Sequence, residues 1–242
     1  MTKEQKECIE KNIDLIDDSE WEKFLSNKDA QAGLGGILLN AGIEFLYDID
    51  AIPDYCFYGD NDLTSIKIPD NVTHIGQQSF YYCKNLTNVV LSNRLTHIDQ
   101  GAFVGCEKIQ SVILPNTVVS IQDGAFRHCY SLTDVLFNNC QIESLDDSMF
   151  VCCHSLNKIV LPQGIKSIGS SAFEECSALN SVTIPDSVEF ISERCFFNTP
   201  NLRTIEFEGT VEQWKHIKKS KVFSKPYSVV INCIDGQLVR RG

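Results

Sequence analysis

The stretch "GAFRHCYSLTDVLF" (Gly124–Phe137) has a near copy 23 residues earlier, "GAFVGCEKIQSVIL" (Gly101–Leu114), and another further on, "SAFEECSALNSVTI" (Ser171–Ile184). Each holds a Phe, a Cys three residues later, and Leu or Ile three residues after that. Aligning on the Phe extends the pattern through Phe57, Phe80, Phe103, Phe126, Phe150, Phe173 and Phe196, in steps of 23 residues with one step of 24 after Phe126. Other columns repeat with it. Six residues after each Phe stand Leu63, Leu86, Ile109, Leu132, Leu156, Leu179 and Leu202; nine after stand Ile66, Val89, Val112, Val135, Ile159, Val182 and Ile205. Eleven after stand Ile68, Leu91, Leu114, Phe137, Leu161, Ile184 and Phe207, and five before stand Ile52, Ile75, Ile98, Ile121, Leu145, Ile168 and Ile191. A fixed period of this length marks a solenoid, in which one repeat cannot bury its own apolar face and stacked repeats share a continuous core.

The L-x-x-I-x-I part of each repeat predicts a short strand whose second and third apolar residues point inward and whose intervening residue points outward. Pro69, Pro115, Pro162 and Pro185 follow several of these strands and end them, because proline has no N–H to give to a ladder. Small residues before the Phe, such as Ser79, Ala102, Ala125 and Ala172, suit a crowded turn. The segments "IPDNVTHIGQQSFYYCKNLTNVVL" and "LPQGIKSIGSSAFEECSALNSVTIPDSV" resemble the BspA-type leucine-rich repeat, with its I-P-x-x-V-x-x-I-G-x-x-A-F-x-x-C-x-x-L pattern. The resemblance covers about residues 52–207. It implies a leucine-rich repeat solenoid of seven stacked repeats with a parallel β-sheet on the concave face, and a protein-binding role. Some surface members of that family act in adhesion; this chain is more similar to the short cytosolic members of bacterial and phage genomes, with a helical N-terminal cap.

The expected organisation is a helical N-terminal cap over residues 1–50, repeats over 51–208 and a C-terminal cap over 209–242. In the first segment Ser19 precedes Glu22 at capping-box spacing, and Trp21, Phe24 and Leu25 make an apolar stripe. Gly33, Gly35 and Gly36 follow no predicted strand, so they do not form a dinucleotide-binding loop. In the last segment "GTVEQWKHIKK" predicts a short helix with Val211, Trp214 and Ile217 on one side, and "SVVINCIDGQLVRR" predicts a hairpin turning at Asp235-Gly236.

Cys83, Cys106, Cys129, Cys153 and Cys176 occupy one position of five successive repeats, with Asp60 and Thr199 in the end repeats. Stacked rungs lie about 4.8 Å apart with parallel Cβ directions, whereas a disulfide wants Cβ atoms about 3.8 Å apart. A line of thiols cannot surround zinc tetrahedrally, and no C-x-x-C pair is present. The ladder is therefore expected to be structural: five buried thiols acting as small hydrophobes. Off the ladder, Cys152 shares a column with His128 and stands near His154, but these columns supply no carboxylate to complete a metal site. His74 and His97 share another column and are expected to be exposed or locally hydrogen-bonded. No metal and no cofactor is expected.

The chain of 242 residues has a net charge of -11, unevenly spread. Residues 1–62 hold 15 acids and 5 bases, residues 63–198 hold 13 and 8, and residues 199–242 hold 4 and 8. An acidic body argues against direct nucleic-acid binding, which needs Lys and Arg against phosphate. The C-terminal lysines Lys215, Lys218, Lys219, Lys221 and Lys225 are expected on a solvated helix face and loop. No apolar run approaches the roughly 20 residues of a membrane span, and the polar start of the chain is unlike a signal peptide. These features predict a cytoplasmic protein with no membrane partner, cytoplasm here meaning that of the host cell if the chain is phage-encoded.

Nucleophile-elbow, P-loop and H-E-x-x-H motifs are missing, so the chain is expected not to be an enzyme. The outward strand residues are more telling: Lys67, Val90, Ile113, Leu136, Val160, Thr183 and Glu206, apolar in the middle and polar at the ends. The neighbouring outward column is polar and includes Asp134 and Lys158. An apolar stripe rimmed by polar groups is the form of an interface centre, although β-branched residues also favour strands for their own sake. The expectation is a non-enzymatic intracellular module that binds a protein partner through Val90, Ile113, Leu136 and Val160, with Asp134 and Lys158 at the rim. Two alternatives stand beside it: an acidic phage or bacterial inhibitor of a host nucleic-acid or defence enzyme, and a scaffold that self-associates by its acidic and basic ends.

Overall fold

The computed structural model describes residues 50–223 and 228–240; the N-terminal cap expected over 1–50 lies outside this range but for Asp50. Every repeat makes two short parallel rungs. One column of rungs is built by Ser65–Lys67, Asn88–Val90, Ser111–Ile113, Asp134–Leu136, Lys158–Val160, Ser181–Ile184 and Thr204–Phe207, hydrogen-bonded in three pieces that part between Asn88–Val90 and Ser111–Ile113 and between Asp134–Leu136 and Lys158–Val160. The second is built by Ala51–Ile52, His74–Ile75, His97–Ile98, Ser120–Ile121, Ser144–Leu145, Ser167–Ile168 and Phe190–Ile191. Ile66 lies opposite Val89, Val112 opposite Val135, and Val182 opposite Ile205, so the pairing follows the repeat alignment without slip. A one-residue slip would turn the whole inward set to solvent, which fixes the register.

The core is a set of columns running the length of the solenoid. All four apolar columns of the repeat are buried. The seven repeat phenylalanines stack ring on ring with centroids 5.0 to 5.9 Å apart. The position before the Phe is filled by Cys56, Ser79, Ala102, Ala125, Met149, Ala172 and Cys195, all within 1% of full burial, which accounts for two of the off-ladder cysteines. The turn carrying the Phe is tight because the residues two before and two after it adopt left-handed backbone. The later column runs Gly59, Tyr82, Gly105, His128, Cys152, Glu175 and Asn198, each with φ between 52 and 71°. Only two of these are glycine, and the left-handed conformation costs an L-residue roughly 1–2 kcal/mol. The inter-turn hydrogen bonds hold it in place, for example from Cys152 N to Glu174 O at 2.9 Å.

Two departures from regularity follow from spacing. The 24-residue repeat carries its extra residue after Phe137, where Asn139 takes φ 55°. There the second ladder parts, between Ser120–Ile121 and Ser144–Leu145. Gln122 and Ser192 donate to Ile98 and Ile168 in the preceding turn, both bonds within 2.8 to 2.9 Å; Asp146 makes no equivalent bond to Ile121. The Phe126–Phe150 centroid distance, 5.9 Å, is the widest in the stack.

The array also continues past the seventh repeat. Lys218–Lys219 pairs in parallel with Phe190–Ile191, and Val229–Cys233 with Thr204–Phe207. Phe223 bridges to Phe196 and stacks on it at 5.4 Å. Residues 218–223 and 229–233 thus belong to an eighth turn, with the helix Val211–His216 inserted before it. That helix has a full capping box between Thr210 and Gln213 and buries Trp214 against Phe207. Val229–Cys233 and Gly236–Arg240 form an antiparallel hairpin with Cys233 opposite Gly236, so the two turn residues are Ile234 and Asp235, one earlier than the sequence suggests. Asp235 is held there by a 2.7 Å bond from Val211 N to its Oδ1. Lys218 and Lys219 therefore sit in a rung rather than on a helix face or loop.

Candidate functional site

Alternation in the strand ladder sends Ile66, Val89, Val112, Val135 and Ile159 inward and leaves the residue after each outside. Val90, Ile113, Leu136 and Val160 are 44, 57, 56 and 51% exposed, high values for large apolar side chains on four consecutive rungs. Asp134 and Lys158 are exposed beside them. Leu136, Val160, Asp134 and Lys158 together line a shallow depression of about 500 Å³ that continues over Phe137, Asn138, Pro162 and Gln163. It spans one of the two places where the strand ladder parts, between Asp134–Leu136 and Lys158–Val160. The flanking Lys67, Thr183 and Glu206 are polar, so the apolar stripe ends within the array.

The thiol ladder has a chemistry that composition does not reveal. Cys83 Sγ donates to Phe57 O at 2.9 Å, Cys106 to Phe80 O at 3.1 Å, Cys129 to Phe103 O at 3.3 Å, Cys153 to Phe126 O at 3.2 Å and Cys176 to Phe150 O at 3.0 Å. Each Phe carbonyl also accepts the N–H three residues on, so it is shared between two turns. The cysteines are donors as well as packing atoms. Thr199 does the same work within its own turn, donating to Phe196 O at 2.8 Å. Burial pushes the Cys129 thiol up to about 12 and Cys83, Cys106, Cys153 and Cys176 up as well. None of the ten described cysteines forms a disulfide.

Cys152, His154 and Glu175 come together on the outer turns, their ligand atoms all within 4.8 Å of one another. This corrects the expectation that the histidine and cysteine columns supply no carboxylate: Glu175 is the next member of the Cys152 column, and it accepts from Cys152 Sγ at 3.2 Å. Burial, and then Glu175, push the Cys152 thiol up to about 11. His128, in the same column one turn earlier, is bonded by Arg127 Nε at 3.2 Å and lies against Tyr130. Burial and the Arg127 charge lower its pKa. His74 and His97 stack at 5.3 Å and are locally bonded, His74 to Asp99 at 2.7 Å and His97 to Thr96 at 2.8 Å.

Residues 50–156 and 143–226 match the BspA type leucine rich repeat region as six copies. The chain belongs to the BspA-type leucine-rich repeat family. Leucine-rich repeat proteins are in general protein-interaction modules. Among solved structures, a leucine rich cell surface protein from Faecalibacterium prausnitzii is 28% identical with a TM-score of 0.55, covering 71% of this chain and 61% of its own. A leucine-rich repeat protein from Eubacterium ventriosum, 23% identical with a TM-score of 0.59, covers 73% of this chain and 48% of its own, and shares the fold. The chain thus spans about half to three-fifths of the length of these two proteins. No curated protein matches the sequence. Among the described residues, no helix is long and apolar enough to cross a membrane.

Proposed function

We propose that this BspA-type solenoid is a non-enzymatic module that binds a protein partner across its concave strand face, centred on Ile113 and Leu136. The observation that supports this most is the unbroken run of four exposed aliphatic side chains on consecutive rungs, Val90 to Val160, ended on both sides by polar residues. Strand preference accounts for Val and Ile but not for Leu136 or for the polar ends of the same column, and truncating a true anchor in a complex costs roughly 2 kcal/mol or more. Asp134 and Lys158 at the rim add orientation, since opposite charges on neighbouring rungs ask for a complementary pair on the partner. The cytoplasm suits ten described cysteines that form no disulfide, although the Faecalibacterium relative is described as a cell surface protein. Cell fractionation decides the compartment.

The test is affinity capture from cells of the source organism with wild type and with Ile113→Glu/Leu136→Glu, both checked for fold by circular dichroism. The expected result is a protein captured by wild type and released by the folded double variant. A partner retained equally by both would remove the stripe from the binding site. A partner lost only at raised salt, regardless of the substitutions, would favour the acidic or basic ends.

A further inference from the structure

We infer that Cys152, His154 and Glu175 form a binding site for one divalent transition-metal ion of the zinc class. The donors come from three positions that the fold holds firmly. Cys152 and Glu175 are successive members of one turn column, 23 residues apart, and both carry left-handed backbone, at φ 60 and 61°. The rung beneath them is tied by the bond from Cys152 N to Glu174 O at 2.9 Å. His154 stands two residues beyond Cys152, with its carbonyl accepting from Ala178 N at 3.2 Å and its ring stacked on Tyr130 at 5.1 Å, 11° from parallel. Its ring plane is thus set from one side by an aromatic face rather than left to solvent.

The donor set favours a borderline-soft ion. Zinc takes sulfur at about 2.3 Å, imidazole nitrogen at about 2.0–2.1 Å and carboxylate oxygen at about 2.0–2.2 Å, so the donors of a tetrahedral site lie some 3–4 Å apart. Ligand atoms already within 4.8 Å, with sulfur and carboxylate at 3.2 Å, need only small side-chain rotations to reach that. Glu175 is exposed and free to make them, the exposed His154 ring can slide along the Tyr130 face, and Cys152 is buried. Among the described residues no fourth donor joins the cluster, which leaves the last position to water. Binding converts the thiol to a zinc thiolate and releases its proton to solvent. Zinc(II), one thiolate, one carboxylate and a neutral imidazole then sum to zero charge. That balance matters because the Arg127 guanidinium is close enough to act on Cys152 and would repel a site left with positive charge. Calcium and magnesium, which want several oxygen ligands, fit this set poorly.

The experiment titrates tag-free, chelator-stripped full-length protein with zinc by calorimetry and with cobalt(II) by absorption. Cys152→Ser, His154→Gln and Glu175→Gln are compared with Cys8→Ser and Cys233→Ser as thiol controls, and thermal unfolding is followed for all five. One equivalent of zinc bound by wild type and by both controls is expected, with affinity at least tenfold weaker in each ligand variant. The thiolate-to-cobalt charge-transfer band should vanish in Cys152→Ser alone among the cysteine variants. Zinc should also slow alkylation of Cys152, read by peptide mass spectrometry. His154 and Glu175 are exposed, so their variants keep the fold and decide the matter even if Cys152→Ser is destabilised. No stoichiometric zinc at micromolar concentration in wild type, or unchanged affinity in folded His154→Gln and Glu175→Gln, overturns the site.

Discussion

At the scale of the residue, the five ladder cysteines tie stability to pH. Each thiol is buried, donates to a backbone carbonyl of the preceding turn, and has its ionisation pushed above the ordinary thiol value of 9.0. The unfolded chain releases these protons near pH 9 while the folded chain holds them, so folding is favoured fully below that value and loses ground as pH rises through it. Each retained proton costs about 1.4 kcal/mol of stability per pH unit in that window. Five together cost about 7 kcal/mol per unit, comparable to the whole stability of a domain, roughly 5–15 kcal/mol. Unfolding at 25 °C is expected within about one to two units above pH 9, with thiolate absorbance appearing together with the loss of circular dichroism. Cys129→Ala should flatten the slope by about 1.4 kcal/mol per unit. At neutral pH it should cost only about 1–2 kcal/mol, since the Phe103 carbonyl keeps its bond from Cys106 N at 3.2 Å. Thiolate absorbance before the fold is lost in excess of what the six off-ladder cysteines can supply would show the ladder to be open to solvent.

At the scale of the element, most of the fold was legible because the repeat states its register seven times. Inward and outward residues, the strand position and the buried thiols could all be read from alternation and period. The eighth turn could not: Phe223 follows Phe196 by 27 residues and Ile231 follows Ile205 by 26, because the helix Val211–His216 is inserted, and no fixed period reaches across it. The Cys152 cluster was half legible. Its cysteine and histidine are near in sequence, but Glu175 enters only through the column, as the neighbour one turn on. The S–H···O bonds were hidden because their acceptors are main-chain atoms. The single 24-residue step was visible as a number, while its consequence, the parted second ladder, is a matter of hydrogen bonds. That consequence is measurable. The Asp146 amide lacks the ladder acceptor that the Gln122 and Ser192 amides have, and local opening takes the least protected bonds first. Native-state hydrogen exchange should show Asp146 exchanging at least tenfold faster than those two; equal protection would mean that the extra residue is absorbed without opening the ladder.

At the scale of the whole molecule, a solenoid is a stack whose last turn must be closed, since an open rung presents unpaired backbone and bare apolar columns to any neighbour. The C-terminal segment closes it by continuing it. Phe223 extends the phenylalanine stack, Val229 and Ile231 are buried against the seventh turn, and Trp214 covers Phe207 from the inserted helix, with Ile217 buried just past its end. The antiparallel strand Gly236–Arg240 then ends the parallel ladder, because its outer edge no longer has the register that a further repeat would need. Basic side chains reinforce this end: Lys219 lies 4.6 Å from the Trp214 ring centre and Arg240 4.5 Å from that of Phe223. A chain ending at residue 208 keeps all seven regular repeats but exposes the Phe196 and Phe207 rings and the edge of Thr204–Phe207. If the terminal segment is only an appendage, that truncation should remain monomeric and unfold as the full chain does. The packing predicts otherwise: light scattering should show aggregation at micromolar concentration. Fusing a polar capping hairpin after residue 208 should restore a monomer, because what the array requires is a closed final rung, not the particular residues that close it.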